Sequence, residues 1–147
     1  MTLDDIDKKI LKEILENSRQ SHREIAKKVG ISVGTVVSRT KKMEEEGIIK
    51  GYTAVLDHEK LGYDLTVVTE ITVSQGKLLD VDKEISNNPS TCAVYDVTGT
   101  VDAIVVAKFK NRNELSNFTK NLLAIPYVER ANTHVVLNII KENFELL

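Results

Sequence analysis

The chain holds 147 residues, 41% hydrophobic and 29% charged, which suits one ordinary globular domain or two small ones and is too short for a large multidomain enzyme. Seven glycines and two prolines exclude a linker-rich or collagen-like chain, and a single cysteine, Cys92, excludes an intrachain disulfide. Apolar runs fall well short of the roughly 20 residues of a membrane span. The stretch Met1-Thr2-Leu3-Asp4-Asp5 lacks the basic start of a signal peptide. The expectation is therefore a cytoplasmic protein that does not engage a membrane.

The net charge of -2 hides an asymmetry. Residues 1–50 carry 11 basic and 9 acidic side chains, whereas residues 51–147 carry 9 and 13, so the two halves differ in sign. Between His22 and Lys42, six basic residues (Arg23, Lys27, Lys28, Arg39, Lys41 and Lys42) face one acid, Glu24. Such a segment is either a solvated basic face or an electrostatic footprint for nucleic acid, and the spacing of its neighbours decides between them.

The first fifty residues read as three helices. The first spans about Leu3 to Glu16, with Leu3, Ile6, Ile10, Leu11, Ile14 and Leu15 on an apolar face, a cap from Thr2 and Asp5, and an end at Asn17-Ser18. The second opens on a capping box, Ser21-His22-Arg23-Glu24, buries Ile25, Ala26 and Val29, and closes at Gly30 in a left-handed turn. Ile31 reads as a buried turn residue, and Ser32 caps the third helix.

That third helix, about Ser32 to Glu46, buries Val36, Thr40 and Met43. It presents Gly34, Ser38, Lys41 and Lys42 outward, with Thr35 and Arg39 on its flanks. Ala26 allows close approach, Gly30 makes the tight turn and Val36 pins the second helix, which is the grammar of a helix-turn-helix. Gly47 ends the segment, and residues 48–53 read as a strand that could form a wing. Arg23, Ser32, Thr35, Ser38, Arg39, Lys41 and Lys42 are the expected contacts to double-stranded DNA.

The second half has strand grammar. Tyr63 to Val73 alternates, residues 76–87 form a helix with Leu78, Val81 and Ile85 inward, and Thr91–Val97 is a second strand. Thr98 to Val101 is a turn, Asp102–Lys110 a third strand, Asn111 to Ile125 a helix built on Leu115, Phe118, Leu122 and Ile125, and Val128–Ile140 a fourth strand. The order β-α-β-β-α-β is that of a ferredoxin-like fold with both helices on one face of an antiparallel sheet. The fold class is thus α+β: a winged helix-turn-helix domain over 1–50, a connecting strand or linker over 51–62, and a ferredoxin-like domain over 63–147. Ile104, Val106 and Val136 fall on the sheet face away from the helices. An apolar patch there is seldom left open in a monomer, so they are the expected dimer interface.

Taken together, Ser21 to Ser32, Thr35-Val36, Arg39 and Lys42 to Ile49 resemble the DNA-binding half of the Lrp/AsnC (feast/famine) transcription regulators. Val97 to Asp102 and Val128 to Leu137 resemble that family's C-terminal amino-acid-sensing domain. The resemblance implies dimers that often assemble further into octamers or discs. It also implies an effector site between sensing domains of adjacent dimers, at Thr98, Gly99, Thr100, Val101 and Asp102. Two positions depart from the family's pattern: Thr40 stands where an apolar residue is usual, and Val101 where an aromatic residue is frequent.

Enzyme readings are weak beside this. His22, His58 and His134 have no metal-ligand spacing, so no metal or cofactor is expected. Cys92 reads as a small core residue. There is no Walker loop, Gly-x-Ser-x-Gly elbow or His-Glu-x-x-His. Asp102 near Asp96 is better explained as a turn residue accepting backbone amides than as half of a catalytic pair. The expected function is a sequence-specific DNA-binding regulator modulated by a small effector, an amino acid by resemblance. The alternatives are an effector-independent DNA-organising protein of the same fold and, further off, a metabolite-binding domain or enzyme with an incidental helical extension.

Overall fold

The computed structural model describes residues 2–147, which divide into two compact units. One runs to Val55 and takes in Glu142–Leu147; the other is Leu56–Lys141.

The first unit is three helices: α1 (Asp5–Glu16), α2 (His22–Val29) and α3 (Val33–Glu45). Helix α1 starts at Asp5, two residues later than its apolar spacing suggests. Its cap is Asp4, whose carboxylate accepts the Asp7 amide while Asp7 accepts the Asp4 amide, so Thr2 has no part in the cap. Two neighbouring acids out-compete a threonine at this start because a carboxylate meets both the free amides and the helix dipole. The Ser21–Glu24 box opens α2, and Gly30, at φ 78°, closes it. Ser32 caps α3. Ile10, Leu11, Ile25, Ala26, Val36 and Met43 form the core, with Ile31 only half-buried at its edge. Leu15, expected in that core, is 41% exposed, whereas its neighbour Ile14 packs against the core.

Past α3 the chain departs from expectation. Gly47, at φ 71°, lets the amides of Ile48 and Ile49 return to the Met43 carbonyl, which finishes the helix. Residues 48–53 then form no strand. A strand needs a partner's ladder, and among the described residues none pairs with this segment.

The second unit is a four-stranded antiparallel sheet, order β2-β3-β1-β4, formed by β1 (Leu65–Val73), β2 (Thr91–Asp96), β3 (Ala103–Phe109) and β4 (Val128–Val135). Helices α4 (Leu78–Ser86) and α5 (Arg112–Ala124) share one face. Val81, Ile85, Phe118 and Leu122 pack there on Val67, Ile71, Val105, Ala107 and Phe109. This is the βαββαβ arrangement its periodicities predict. A register shift between Thr91 and Ala93 turns Cys92 outward, so it is exposed rather than a core residue. Strand β4 is shorter than expected because β1 begins at Leu65: Val136 still donates its amide to the Thr66 carbonyl at 2.8 Å, but beyond it Leu137 and Ile140 are exposed.

Candidate functional site

The outward side of α3 carries the residues expected to meet DNA. Ser32 is exposed, and its Oγ accepts the Thr35 amide at 3.1 Å and lies 2.8 Å from Thr35 Oγ1. Ser38 donates to the Thr35 carbonyl at 3.2 Å and keeps its lone pairs outward. Lys41 reaches Glu45 at 3.6 Å along the helix surface, a solvated pair of little energetic weight. Lys42 and, on α2, Arg23 are exposed. Gly34, in the first turn of α3, carries no side chain, and a Cβ there would meet nothing nearer than Ser32 Oγ at 3.9 Å. The backbone at this end of α3 is therefore open to close approach.

Two residues of this surface were not foreseen. Val33 and Val37 are 42% and 43% exposed on the same side of α3. Apolar residues on a helix are read as core by default, yet Val36 alone of the three faces inward. An exposed valine beside serine hydroxyls is suited to a thymine methyl group in a major groove.

Arg39 behaves differently from its basic neighbours. Its Nη1 donates to Asp4 Oδ2, at the cap of α1, and, at 3.0 Å, to Asp7 Oδ1 in its first turn. Asp7 is 1% exposed. The guanidinium holds the Asp4 carboxyl down at about 2, and the two carboxylates in turn raise Arg39 above its ordinary value. Expected on a flank as a source of charge for phosphate, Arg39 is instead engaged by two acids of another helix. Nothing in periodicity announces this link, because the partners are 35 and 32 residues away. Lys28 of α2 has a similar attachment to Glu13 of α1 at 2.9 Å, which raises the lysine and lowers the acid.

In the sheet unit, Gly99 takes φ 114° in the connection from β2 to β3, and Thr98, Gly99 and Thr100 are exposed, with Val101 and Asp102 half-buried. Asp102 Oδ2 accepts the Val73 amide at 2.7 Å. The turn thus presents two hydroxyls and an unobstructed backbone beside a carboxylate already anchored on one oxygen.

The face of this sheet away from the helices alternates with the core positions. It shows Ile104 and Val106 of β3, both half-buried, and, by register, Val68 of β1 and Val136. Polar residues share it. Glu70 accepts from Asn132 at 3.1 Å and lies 3.0 Å from His134 Nε2, which together pull its carboxyl down. Lys108, 5% exposed, donates to Thr66 Oγ1 at 3.2 Å.

No group of three or more metal-ligating side chains occurs among the described residues, and no helix there is long and apolar enough to cross a membrane.

Comparison with known proteins follows the same two-part division. Residues 3–50 match the family model for a winged helix-turn-helix DNA-binding domain, and residues 66–146 match that for an Lrp/AsnC ligand binding domain. The chain is 46% identical over 146 residues to an HTH-type transcriptional regulator of Pyrococcus furiosus, covering 99% of each. It is 38% identical over 144 residues to the HTH-type transcriptional regulator FL11 of Pyrococcus horikoshii, covering 98% of this chain and 95% of that one. Among solved structures, a transcriptional regulator of Neisseria meningitidis, determined as an L-Met complex, superposes with a TM-score of 0.90 at 29% identity, covering 99% of this chain and 97% of that one. These proteins are transcription regulators, not enzymes.

Proposed function

The chain belongs to the Lrp/AsnC family of DNA-binding transcription regulators, and from that premise we propose that it reads specific DNA sites through α3 and adjusts its occupancy to a small effector, an amino acid. The observation that carries the first part is the outer surface of α3. Ser32, Thr35, Ser38, Val33 and Val37 stand over an open backbone at Gly34, and Arg23, Lys41 and Lys42 flank them with positive charge. Hydroxyls and methyl groups distinguish base edges, whereas lysines grip phosphates whatever the sequence. Two such helices in a dimer address half-sites about one helical turn apart, roughly 34 Å, and therefore a near-palindrome.

The test of this reading is binding to the protein's own upstream region at several salt concentrations. Lys42→Ala weakens binding to every duplex and lowers the salt slope by about one unit. Ser38→Ala changes the preference among sites instead. If both variants bind as the parent does, α3 does not read DNA with this face.

The effector part rests on the turn at Thr98, Gly99, Thr100, Val101 and Asp102. A free amino acid needs donors for its carboxylate and an acceptor for its ammonium, and a glycine turn with hydroxyls beside an aspartate offers both. The L-Met bound to the Neisseria regulator supports the ligand class. A site at a boundary between dimers lets the ligand bias one assembly, octamer included, over another. Calorimetry with the twenty amino acids on the parent and on Gly99→Gln tests it: an amino acid that binds both alike places the site elsewhere. If none binds and DNA binding persists, the chain is an effector-independent DNA-organising protein of this fold.

A further inference from the structure

The three-helix unit contains one charged contact that ties the reading helix to another element through a buried acid. Asp7 is nine-tenths and more buried, and both its oxygens are used: Oδ2 takes the Asp4 amide at 3.1 Å and Oδ1 takes Arg39 Nη1 at 3.0 Å. Asp4 caps α1 with Oδ1 and grips the same Nη1 with Oδ2. One guanidinium nitrogen thus joins both members of the α1 capping box to α3, four residues beyond Thr35 and one beyond Ser38. Around this contact, Ile10 and Leu11 of α1 share one apolar core with Val36 and Met43 of α3.

We propose that Arg39 is a positioning residue for DNA reading, acting through Asp4 and Asp7 to fix the pose of α3 rather than by touching phosphate. The inference rests on the proposed DNA binding through α3. A cation already satisfied by two carboxylates contributes little net field to a duplex. Turning it to a phosphate would strand the Asp7 carboxylate inside the unit, and a buried charge left without its partner is strongly disfavoured. What the contact supplies is orientation: a nitrogen shared between the two acids of one capping box constrains both the rotation and the slide of α3 against α1.

The two roles predict opposite signs for one substitution. Asp4→Asn keeps the helix cap, since Asn caps as well as Asp, but removes the charge that holds Arg39. If Arg39 positions α3, Asp4→Asn weakens binding. If it contacts phosphate, losing a competing acid strengthens binding and steepens the salt dependence.

The experiment measures affinity for a duplex of the protein's own upstream region at four salt concentrations. It uses the parent, Asp4→Asn, Arg39→Gln and Lys42→Ala, each kept well below its own melting temperature so that only folded protein is compared. We expect Asp4→Asn to bind several-fold more weakly and Arg39→Gln about tenfold or more, both with the parent's salt slope, while Lys42→Ala loses about one unit of slope. Three results overturn the proposal. Tighter binding by Asp4→Asn, or a slope reduced by about one in Arg39→Gln, makes Arg39 a phosphate contact. Unchanged affinity in folded Asp4→Asn and Arg39→Gln makes the contact purely structural. A parent that fails to bind any duplex removes the DNA-binding reading itself, which the parent curve alone reveals before the variants are compared.

Discussion

Asp102 accepts the Val73 amide through Oδ2 at 2.7 Å, and its own amide donates to the Ile71 carbonyl at 2.9 Å, so the connection between β2 and β3 is fastened at one residue to the end of β1. Its carbonyl also receives the Val97 amide at 3.0 Å, which closes the turn on itself. The loop that carries the proposed effector residues is therefore held by the sheet at its base, while Thr98 to Thr100 remain outside.

Asp102→Ala strands the Val73 amide and costs about 1–3 kcal/mol, the range for a lost bond to a charged acceptor. At about 2–4 °C per kcal/mol for a chain of this size, the melting temperature falls measurably. Asp102→Asn keeps an acceptor and loses much less. Equal melting temperatures for parent and Ala variant would show that the contact carries no stability.

Gly34 separates stability from reading. A methyl group there meets only Ser32 Oγ at 3.9 Å, an ordinary contact, and alanine is worth about 1 kcal/mol over glycine within a helix. Gly34→Ala therefore melts about 2–4 °C higher than the parent. In the proposed reading of DNA through α3, the same methyl stands on the open backbone offered to the duplex, so affinity for DNA is expected to fall. A variant that is more stable and binds equally well would show that the first turn of α3 does not press against the duplex.

The sequence carried most of the fold because its signals were local. The Ser21–Glu24 box, the left-handed Gly30 and the alternation read from Tyr63 to Val73 each act within a few residues; the first two formed as read, and the strand formed over Leu65–Val73. Helix-turn-helix spacing likewise gave the outward side of α3. What escaped depends on distance in space. The Arg39 contact joins residues more than thirty apart. Cys92 is turned out by a register shift that only the pairing of β2 with β3 determines. Residues 48–53 have strand composition but no neighbouring ladder among the described residues, and composition cannot supply one.

Thr40 marks a cost in the same unit. It is 3% exposed, and its hydroxyl has no hydrogen-bond partner among the described residues. Valine has the same shape without the unmet hydroxyl, so Thr40→Val is more stable by about 1 kcal/mol, read as a rise of about 2–4 °C in thermal melting. A fall instead would mean that the hydroxyl is satisfied in solution.

The open sheet face is tested by charge. Ile104 and Val106 sit half-buried on it beside Val68. In the proposed dimer a carboxylate placed at either position is buried without a partner. Light scattering on Ile104→Asp and Val106→Asp should find monomers or aggregates, and a dimer of parental size in both would move the interface elsewhere.

Asp82 of α4 sets a pH dependence. Burial first, and then the Asp96 carboxylate facing it, push the Asp82 carboxyl from its ordinary 3.8 up to about 7, and its Oδ1 is shielded from solvent with no hydrogen-bond partner among the described residues. Between those two pH values the folded chain binds the proton that the unfolded chain has released, so stability falls as pH rises through this window. Well below the unfolded value of 3.8 both states are protonated and the group's cost is absent; well above the folded value of about 7 both are ionised and the cost is complete. Asp82→Asn supplies a neutral side chain that can donate to Asp96, so it raises the melting temperature much more at pH 8 than at pH 4.5. Melting curves of parent and variant across pH 4.5 to 8 check this directly. A constant difference between them over the whole range would mean that Asp82 ionises in the folded chain as freely as in the unfolded one.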